Sequence, residues 1–421
     1  MATVRRESRN VRTVNPVRKS AMDDTPNPLD LIRDLDPKTA AERLADLPDG
    51  EIAKLLEQLP NPNFAVELLE EFPEARRNAI ADSTALGQGQ LWLKGHSYPE
   101  GTVGRLMERP PAVFPPTATI GVVTDALREI VKRRMVVYIF VADAEGKLSG
   151  VVAFRELMFA RREQTLAEIM IPNPFYLRPE TEMPDAMREV VTRHYPVYPI
   201  CDAQGHLVGM VKGQVMFEQQ AFEISAQAGT MVGVEKEERL ATPWQRSLKS
   251  RHPWLQLNLL TAFIAAAVVG IFEGTLEKIV VLAVFLPVLA GQSGNTGCQA
   301  LAVTLRGITL GELRAENTWA TVSKEALLGL LNGAIVGLVA GAGMWYYAHN
   351  DGNPQAVGLA AIVWIAMIAS CVISGVSGAL IPLVLRRLGA DPATASSIFL
   401  TTATDVVSMG TFLGLATFLL M

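Results

Sequence analysis

Five long apolar runs, all lying after residue 253, constrain this chain more than any other feature. The first reads WLQLNLLTAFIAAAVVGIF from Trp254, and the others cover residues 279–305, 326–347, 357–385 and 393–421. A helix needs about 20 apolar residues to cross a hydrocarbon core of about 30 Å. Each run is near or above that length, so the C-terminal part is expected to be an α-helical transmembrane bundle of five spans. An odd number of spans places the two termini on opposite sides. Arg246, Lys249 and Arg251 precede the first run, Arg306, Arg314 and Lys324 follow the second, and Arg386 and Arg387 follow the fourth, whereas the loop at 349–354 has no Lys or Arg. Positive flanks stay cytoplasmic. The N-terminus and the soluble part are therefore expected in the cytoplasm and the C-terminus outside, in a multi-pass protein of the inner (cytoplasmic) membrane.

Two of these runs carry groups that lipid does not tolerate alone. Residues 286–306, LPVLAGQSGNTGCQALAVTLR, turn polar at Gly291, Ser293, Gly294, Asn295, Thr296, Gly297 and Gln299. Irregular backbone survives at membrane depth only where protein or a wet cavity covers it, which predicts a broken helix forming the polar wall of a pathway. In that reading Gly294 and Gly297 admit a close neighbour, while Asn295, Thr296 and Gln299 offer uncharged oxygens. A packing kink with satisfied hydrogen bonds is the alternative. Asp405, in TTATDVVSMG, lies near the middle of the fifth run with no cation near it in sequence. An ionisable group at that depth is expensive and by default functional: a proton relay, a protonated structural group, or a cation site supplied with further oxygens by Thr401, Thr402 and Thr404. An all-oxygen set suits Mg²⁺ or a similar hard ion better than Zn²⁺ or Cu²⁺, and Mg²⁺ would keep much of its water shell. Gly333, Gly337 and Gly341, with Gly375 and Gly378, predict close helix packing.

The first half of the 421-residue chain reads differently. A net charge of -5 says little about partners. Cys201, Cys298 and Cys371 are isolated, and the five histidines lack ligand spacing, so neither a disulfide framework nor a zinc site is expected. The basic stretch 1–29 has no apolar core for a signal peptide and is expected to be a disordered tail. Residues 30–98 repeat short helical segments ending at Pro48, Pro60 and Pro73. Proline ends a helix because it lacks the amide donor, which predicts an acidic, superhelical N domain of stacked short helices. Residues 99–216 hold two copies of one α/β unit: TDALREIVKRR matches PDAMREVVTRH, and VADAEGKLSGVV matches ICDAQGHLVGMV. A connecting helix and linker fill 217–250, and the membrane domain 251–421.

The duplicated unit resembles a tandem cystathionine-beta-synthase (CBS) pair, a module commonly used for regulation and dimer contact. Where that family places a hydroxyl and an acid for adenosine nucleotide, this chain has GVVAFREL and GMVKGQVM, with Glu156 and Gln214 near the acidic position and no matching hydroxyl. Nucleotide binding is therefore not expected. HPWLQLNLLTAFIAAAVVGIFE, PVLAGQSGNTGCQALAVTLRG and TTATDVVSMG, in this order of domains, resemble the MgtE magnesium transporter family. The resemblance implies a homodimer with a Mg²⁺ pore at its axis, closed when intracellular Mg²⁺ occupies sites between the cytosolic domains. The family's pore aspartate matches Asp405, and its GN motif matches Gly294 and Asn295. The site expected from these readings comprises Asp405, Asn295 and Thr401 at the ion, with Gly294, Thr296, Gln299 and Thr404 lining the pore. Where the family carries a run of acids close to EATED in its connecting helix, this chain has EQQAFEI, leaving Glu218 and Glu223 as the regulatory metal candidates. A cation-coupled (H⁺ or Na⁺) exchanger and a non-transporting CBS sensor are the other readings. No nucleophile-base pair or phosphate loop points to an enzyme, and nothing in the charge pattern points to nucleic acid.

Overall fold

The computed structural model describes residues 29, 32, 34–84, 87–313, 317–394 and 396–421. The basic tail, Asp30 and Arg314 lie outside the described residues.

Among the described residues five short helices come first: α1 (Pro37–Leu44), α2 (Asp49–Leu56), α3 (Pro62–Glu70), α4 (Glu74–Asp82) and α5 (Gln88–Gly95). Proline sets their starts as well as their ends. Pro37 and Pro62 occupy first-turn positions, where the missing N–H is no loss, and Pro48 and Pro73 are N-caps. Asp36 and Asn61 cap α1 and α3 by accepting from Thr39 N (3.0 Å) and Asn63 N (2.9 Å). Alternate helices stack, α1 on α3, α2 on α4 and α3 on α5. A shared core of Ile32, Leu44, Ile52, Leu56, Leu68, Leu69, Ile80 and Trp92 fills the space between them.

Next come β1 (Val113–Phe114), α6 (Ile120–Ile130), β2 (Tyr138–Ala142), β3 (Leu148–Ala153), α7 (Leu166–Ile169), β4 (Ile171–Pro172), α8 (Met183–Arg193), β5 (Val197–Cys201) and β6 (Leu207–Lys212). One sheet has the order β1-β2-β3-β4, parallel only between β1 and β2, and β5 pairs antiparallel with β6. The duplication survives in detail. Asp143 accepts from Lys147 N (2.7 Å) and Asp202 from His206 N (2.8 Å), closing turns in which Gly146 and Gly205 have φ of +85° and +88°. The two turns are bonded reciprocally: Leu148 N donates to Gly205 O and Leu207 N to Gly146 O, both at 3.0 Å.

Helix α9 (Gly213–Thr230) leads from this pair to the membrane part: α10 (Trp244–Ile271), the short α11 (Glu273–Lys278), α12 (Val281–Thr309), α13 (Thr318–Asn350), α14 (Ala356–Arg387) and α15 (Ser396–Leu420). Five helices among the described residues, α10 and α12 to α15, are long and apolar enough to cross a bilayer. The first begins ten residues before Trp254, because Pro243 caps it and its basic flank is already helical. The expected break in the second span is absent: α12 is helical throughout, Gly291 to Gln299 included. Glycine lowers helix propensity by about 1 kcal/mol per residue. An unpaired amide in lipid costs several, so the helix persists and only its side chains turn polar. Tight packing falls on α13 against α14. A Cβ on Gly333 would lie 2.8 Å from Ile368 Cα, and one on Gly341 2.9 Å from the Ala360 carbonyl.

Candidate functional site

Helix α15 builds the site through its hydroxyls. Thr401 donates to Ser397 O (2.9 Å), Thr402 to Ile398 O (2.8 Å), Thr404 to Thr401 O (3.0 Å) and Ser408 to Asp405 O (3.3 Å). Each proton is spent within the helix, so the exposed hydroxyls present lone pairs outward. Thr401, Thr402 and Asp405 share one wall of a recess of about 420 Å³ whose other wall is α10, through Trp254, Leu255, Asn258, Thr261 and Ala262; Val232 of the linker also lines it. Among the described residues the Asp405 carboxylate has neither a hydrogen-bond nor an ion-pair partner. A half-buried carboxylate without a partner inside a span is by default a functional candidate, and the oxygens beside it on Thr401, Thr402, Asn258 and Thr261 are of the kind that suit a hard cation.

The expected site residues do not all converge there. Asp405 and Thr401 meet in the recess. Asn295 does not line it; it lies exposed on the outer face of α12, in line with the equally exposed Gln292 and Gln299. Gly294 is half-buried with open space where a Cβ would be. Two expected lining hydroxyls are turned into helix packing instead. Thr404 is 1% exposed, and Thr296 donates to Gln292 O (3.0 Å) and faces Cys371 Sγ (3.5 Å) on α14. Periodicity explains both: α15 buries Leu400, Thr404 and Ser408 on one face and leaves Thr401 and Asp405 on another. Asn258 and Thr261 were missed. Their three-residue spacing puts two polar groups on one face of the first span, and that signal was present in the sequence.

Residues 286–415, which include Asn295, Thr401 and Asp405, match the family model described as MgtE, divalent cation transporter. A protein named magnesium transporter MgtE from Thermus thermophilus is 31% identical over 287 residues, 67% of this chain and 62% of the relative. Over these residues the chain is similar to the MgtE family. Two further MgtE relatives, from Enterococcus faecalis and Bacillus subtilis, are 27% and 25% identical, covering 66% and 76% of this chain and 60% and 70% of their own. The matched region thus spans about three-fifths of the length of the first two. CBS models match residues 103–163 and 166–212. Among solved structures, the cytosolic domain of the Mg²⁺ channel MgtE in complex with ATP is 27% identical, covering 45% of this chain and 78% of that one with a TM-score of 0.39. The chain is a multi-pass membrane protein, and the relatives it is similar to are named as transporters.

The regulatory residues expected from the MgtE resemblance, Glu218 and Glu223, do not form a site together. Five positions apart on α9, they point to different sides. Glu218 accepts from Gln214 (2.9 Å), whereas Glu223 accepts from Gln219 (3.3 Å) and pairs with Lys236 (3.4 Å). Acidic groups gather elsewhere, in a cleft of about 500 Å³ where the N domain meets the linker and the start of α10, lined by Asp36, Glu67, Glu70, Glu100, Glu237, Arg105, Arg246 and Lys249, among others. Arg246 clamps it, 2.6 Å from Asp36 and 2.8 Å from Glu42. Burial, reinforced by the Glu237 charge, pushes the Glu67 carboxyl up to about 7. Glu237 is raised chiefly by burial. Burial also acts on Asp36, but hydrogen bonds from Thr39 and Thr242 and the Arg246 charge outweigh it and hold that carboxyl below its usual range. No three Asp, Glu, His or Cys side chains among the described residues are arranged to hold a metal ion.

Proposed function

We propose that this chain moves Mg²⁺ across the cytoplasmic membrane as a homodimer, with the cytosolic N domain and CBS pair regulating passage. The observation that carries the reading is the unpartnered Asp405 carboxylate in a recess at mid-span. Six waters at about 30 Å³ each occupy roughly 180 Å³, so the recess accommodates an ion that keeps its hydration shell. In this reading Asp405 supplies attraction, Thr401 with Asn258 and Thr261 receives the water protons, and no ligand need displace the shell. Entry is driven by the membrane potential, about 2.3 kcal/mol per charge per 100 mV, hence about 4.6 kcal/mol per 100 mV for a divalent ion. Mg²⁺ is the cargo; the proposal assigns it no resident cofactor role.

The outer face of α12 supports the dimer. Gln292, Asn295 and Gln299 would otherwise present three amides to hydrocarbon, each costing on the order of 2 kcal/mol or more without a hydrogen-bond partner. A second copy meeting the first along this face covers them and turns Gly294 and Asn295 toward a shared path. The basic residues Arg306, Lys324, Arg386 and Arg387 favour a cytoplasmic N-terminus and an outside C-terminus.

Mg²⁺ flux into proteoliposomes tests this. Wild type is expected to conduct under a potential alone, with no opposing H⁺ or Na⁺ gradient, and Asp405→Asn to fail. Undiminished flux in Asp405→Asn refutes the site; a strict need for an opposing gradient makes the protein an exchanger.

A further inference from the structure

A continuous run of polar contacts joins the N domain to the beginning of the last span. Asn61 Nδ2 donates to Gln219 Oε1 (2.9 Å), and Gln219 Nε2 to Glu223 Oε1 (3.3 Å). Lys236 Nζ lies 3.4 Å from Glu223 Oε2 and 3.6 Å from Asp391 Oδ2. Asp391 then accepts from Ala393 N (2.9 Å) and Thr394 Oγ1 (3.1 Å), in the segment leading into α15. A second tie runs beside it. The Met231 carbonyl accepts from Ser397 N (3.2 Å) and Ser397 Oγ (2.6 Å), which brings the neighbouring Val232 to the wall of the Asp405 recess. Gly233 completes that turn with φ +83°, and a Cβ there would stand 2.6 Å from Trp254 Cβ, so the turn seats on the first span only because the residue is glycine.

We propose that Lys236 is a positioning residue: its ammonium bridges Glu223 on α9 and Asp391 ahead of α15, and thereby keeps the 231–234 turn seated at the Asp405 recess. The site expected to bind a regulatory cation at Glu223 carries a tethered cation of its own. Burial would pull the Lys236 pKa down; Glu223 first and then Asp391 outweigh it and raise it above the ordinary lysine value, so the bridge stays charged at neutral pH. The bridge sits at a junction of three segments, so breaking it loosens α9 and the linker against the segment ahead of α15, with the Met231–Ser397 bonds left as the remaining tie. Two amides hold α9 to the membrane part independently: Gln220 Nε2 donates to the Thr309 carbonyl (3.1 Å) and Gln227 Nε2 to Thr309 Oγ1, at the end of α12. These contacts carry no charge, so the ionic bridge can be removed without undocking the helix.

The inference rests on the transport reading for its functional consequence, and the test separates the two. Tryptic cleavage at the exposed Arg239 and Mg²⁺ flux at fixed internal Mg²⁺ are measured on the full chain in proteoliposomes. Lys236→Met is expected to raise both by about fivefold or more, the lower end of ordinary coupling between sites. Lys236→Arg is expected to match wild type. Adding Glu223→Gln and Asp391→Asn to Lys236→Met is expected to change neither readout further, because the partners act through the ammonium. Wild-type cleavage in Lys236→Met, or a large additional effect from the neutralised partners, overturns the bridge. If wild type carries no Mg²⁺, or Asp405→Asn carries as much, the transport reading falls; the cleavage comparison needs no flux and still decides for or against Lys236.

Discussion

The Asp405 recess and the cytosolic cleft both hold carboxylates removed from bulk water, and they resolve the same electrostatic problem in opposite ways. In the cleft, fixed cations surround the acids: Arg246 grips Asp36 and Glu42, and Arg105 and Lys249 stand nearby. The acids left without such a grip, Glu67 and Glu237, hold their protons to higher pH. In the recess no fixed cation among the described residues faces the carboxylate: hydroxyls, the Asn258 amide and apolar side chains such as Trp254 and Leu255 line it. Compensation supplied from within makes a joint, and in the proposed reading the compensation at Asp405 is left to a passing ion.

Charge removal gives the largest expected contrast. For a +2 ion about 5 Å from a carboxylate at an effective dielectric of about 20, the attraction is about 6–7 kcal/mol before hydration losses. Asp405→Asn is therefore expected to lower flux by at least about a hundredfold while melting like wild type. A large loss of thermal stability instead would class Asp405 with the cleft acids, as a structural group. Arg246→Met probes the other side. It leaves Asp36, a carboxylate with 6% of its side chain exposed, buried and unpaired, at a cost of about 3 kcal/mol, read as a lower melting temperature of the cytosolic part.

Glu67 sharpens the comparison through pH. Its folded pKa of about 7 lies above the ordinary 4.5, so between those values the folded state binds more protons than the unfolded one. Stability from this group is present below about 4.5 and is lost as pH rises through about 7. Glu67→Gln is expected to flatten that slope and to gain on the order of 2 kcal/mol at pH 8, measured by denaturant unfolding at several pH values. An unchanged slope means that the cleft solvates Glu67 well enough to leave it ordinary. The smallest expected effect is Asn295→Ala, a few-fold loss of flux from one hydrogen bond to a water shell, about 1 kcal/mol.

Much of this was legible in the sequence, for physical reasons that also mark where the reading stopped. The spans are legible because lipid demands length and apolarity, and Asp405 stands out because lipid tolerates so little charge. The paired turns at Gly146 and Gly205 are legible because an Asp-to-Gly turn has a fixed local geometry. The uninterrupted α12 was misjudged because local glycine propensity points to a break, and it is the surrounding lipid that overrules it. The pairing of Glu223 with Lys236, and of Lys236 in turn with Asp391, was not legible, because these groups arrive from segments 13 and 168 residues away from Glu223 in the chain, a juxtaposition no local pattern encodes. The cleft was invisible for the same reason: Glu67 and Glu237 become neighbours only when the N domain folds back on the linker.

The glycine seam between α13 and α14 has a mechanical corollary. Backbones in such close contact have no slack, so those two helices move together as a single post. Within one chain α10 has a single buried residue, Ala265, and is the looser wall of the recess. A thinner or thicker bilayer is met by tilting whichever helix yields most easily. Lipid composition would then reset the width of the recess from the side of Asn258, with no messenger binding at all.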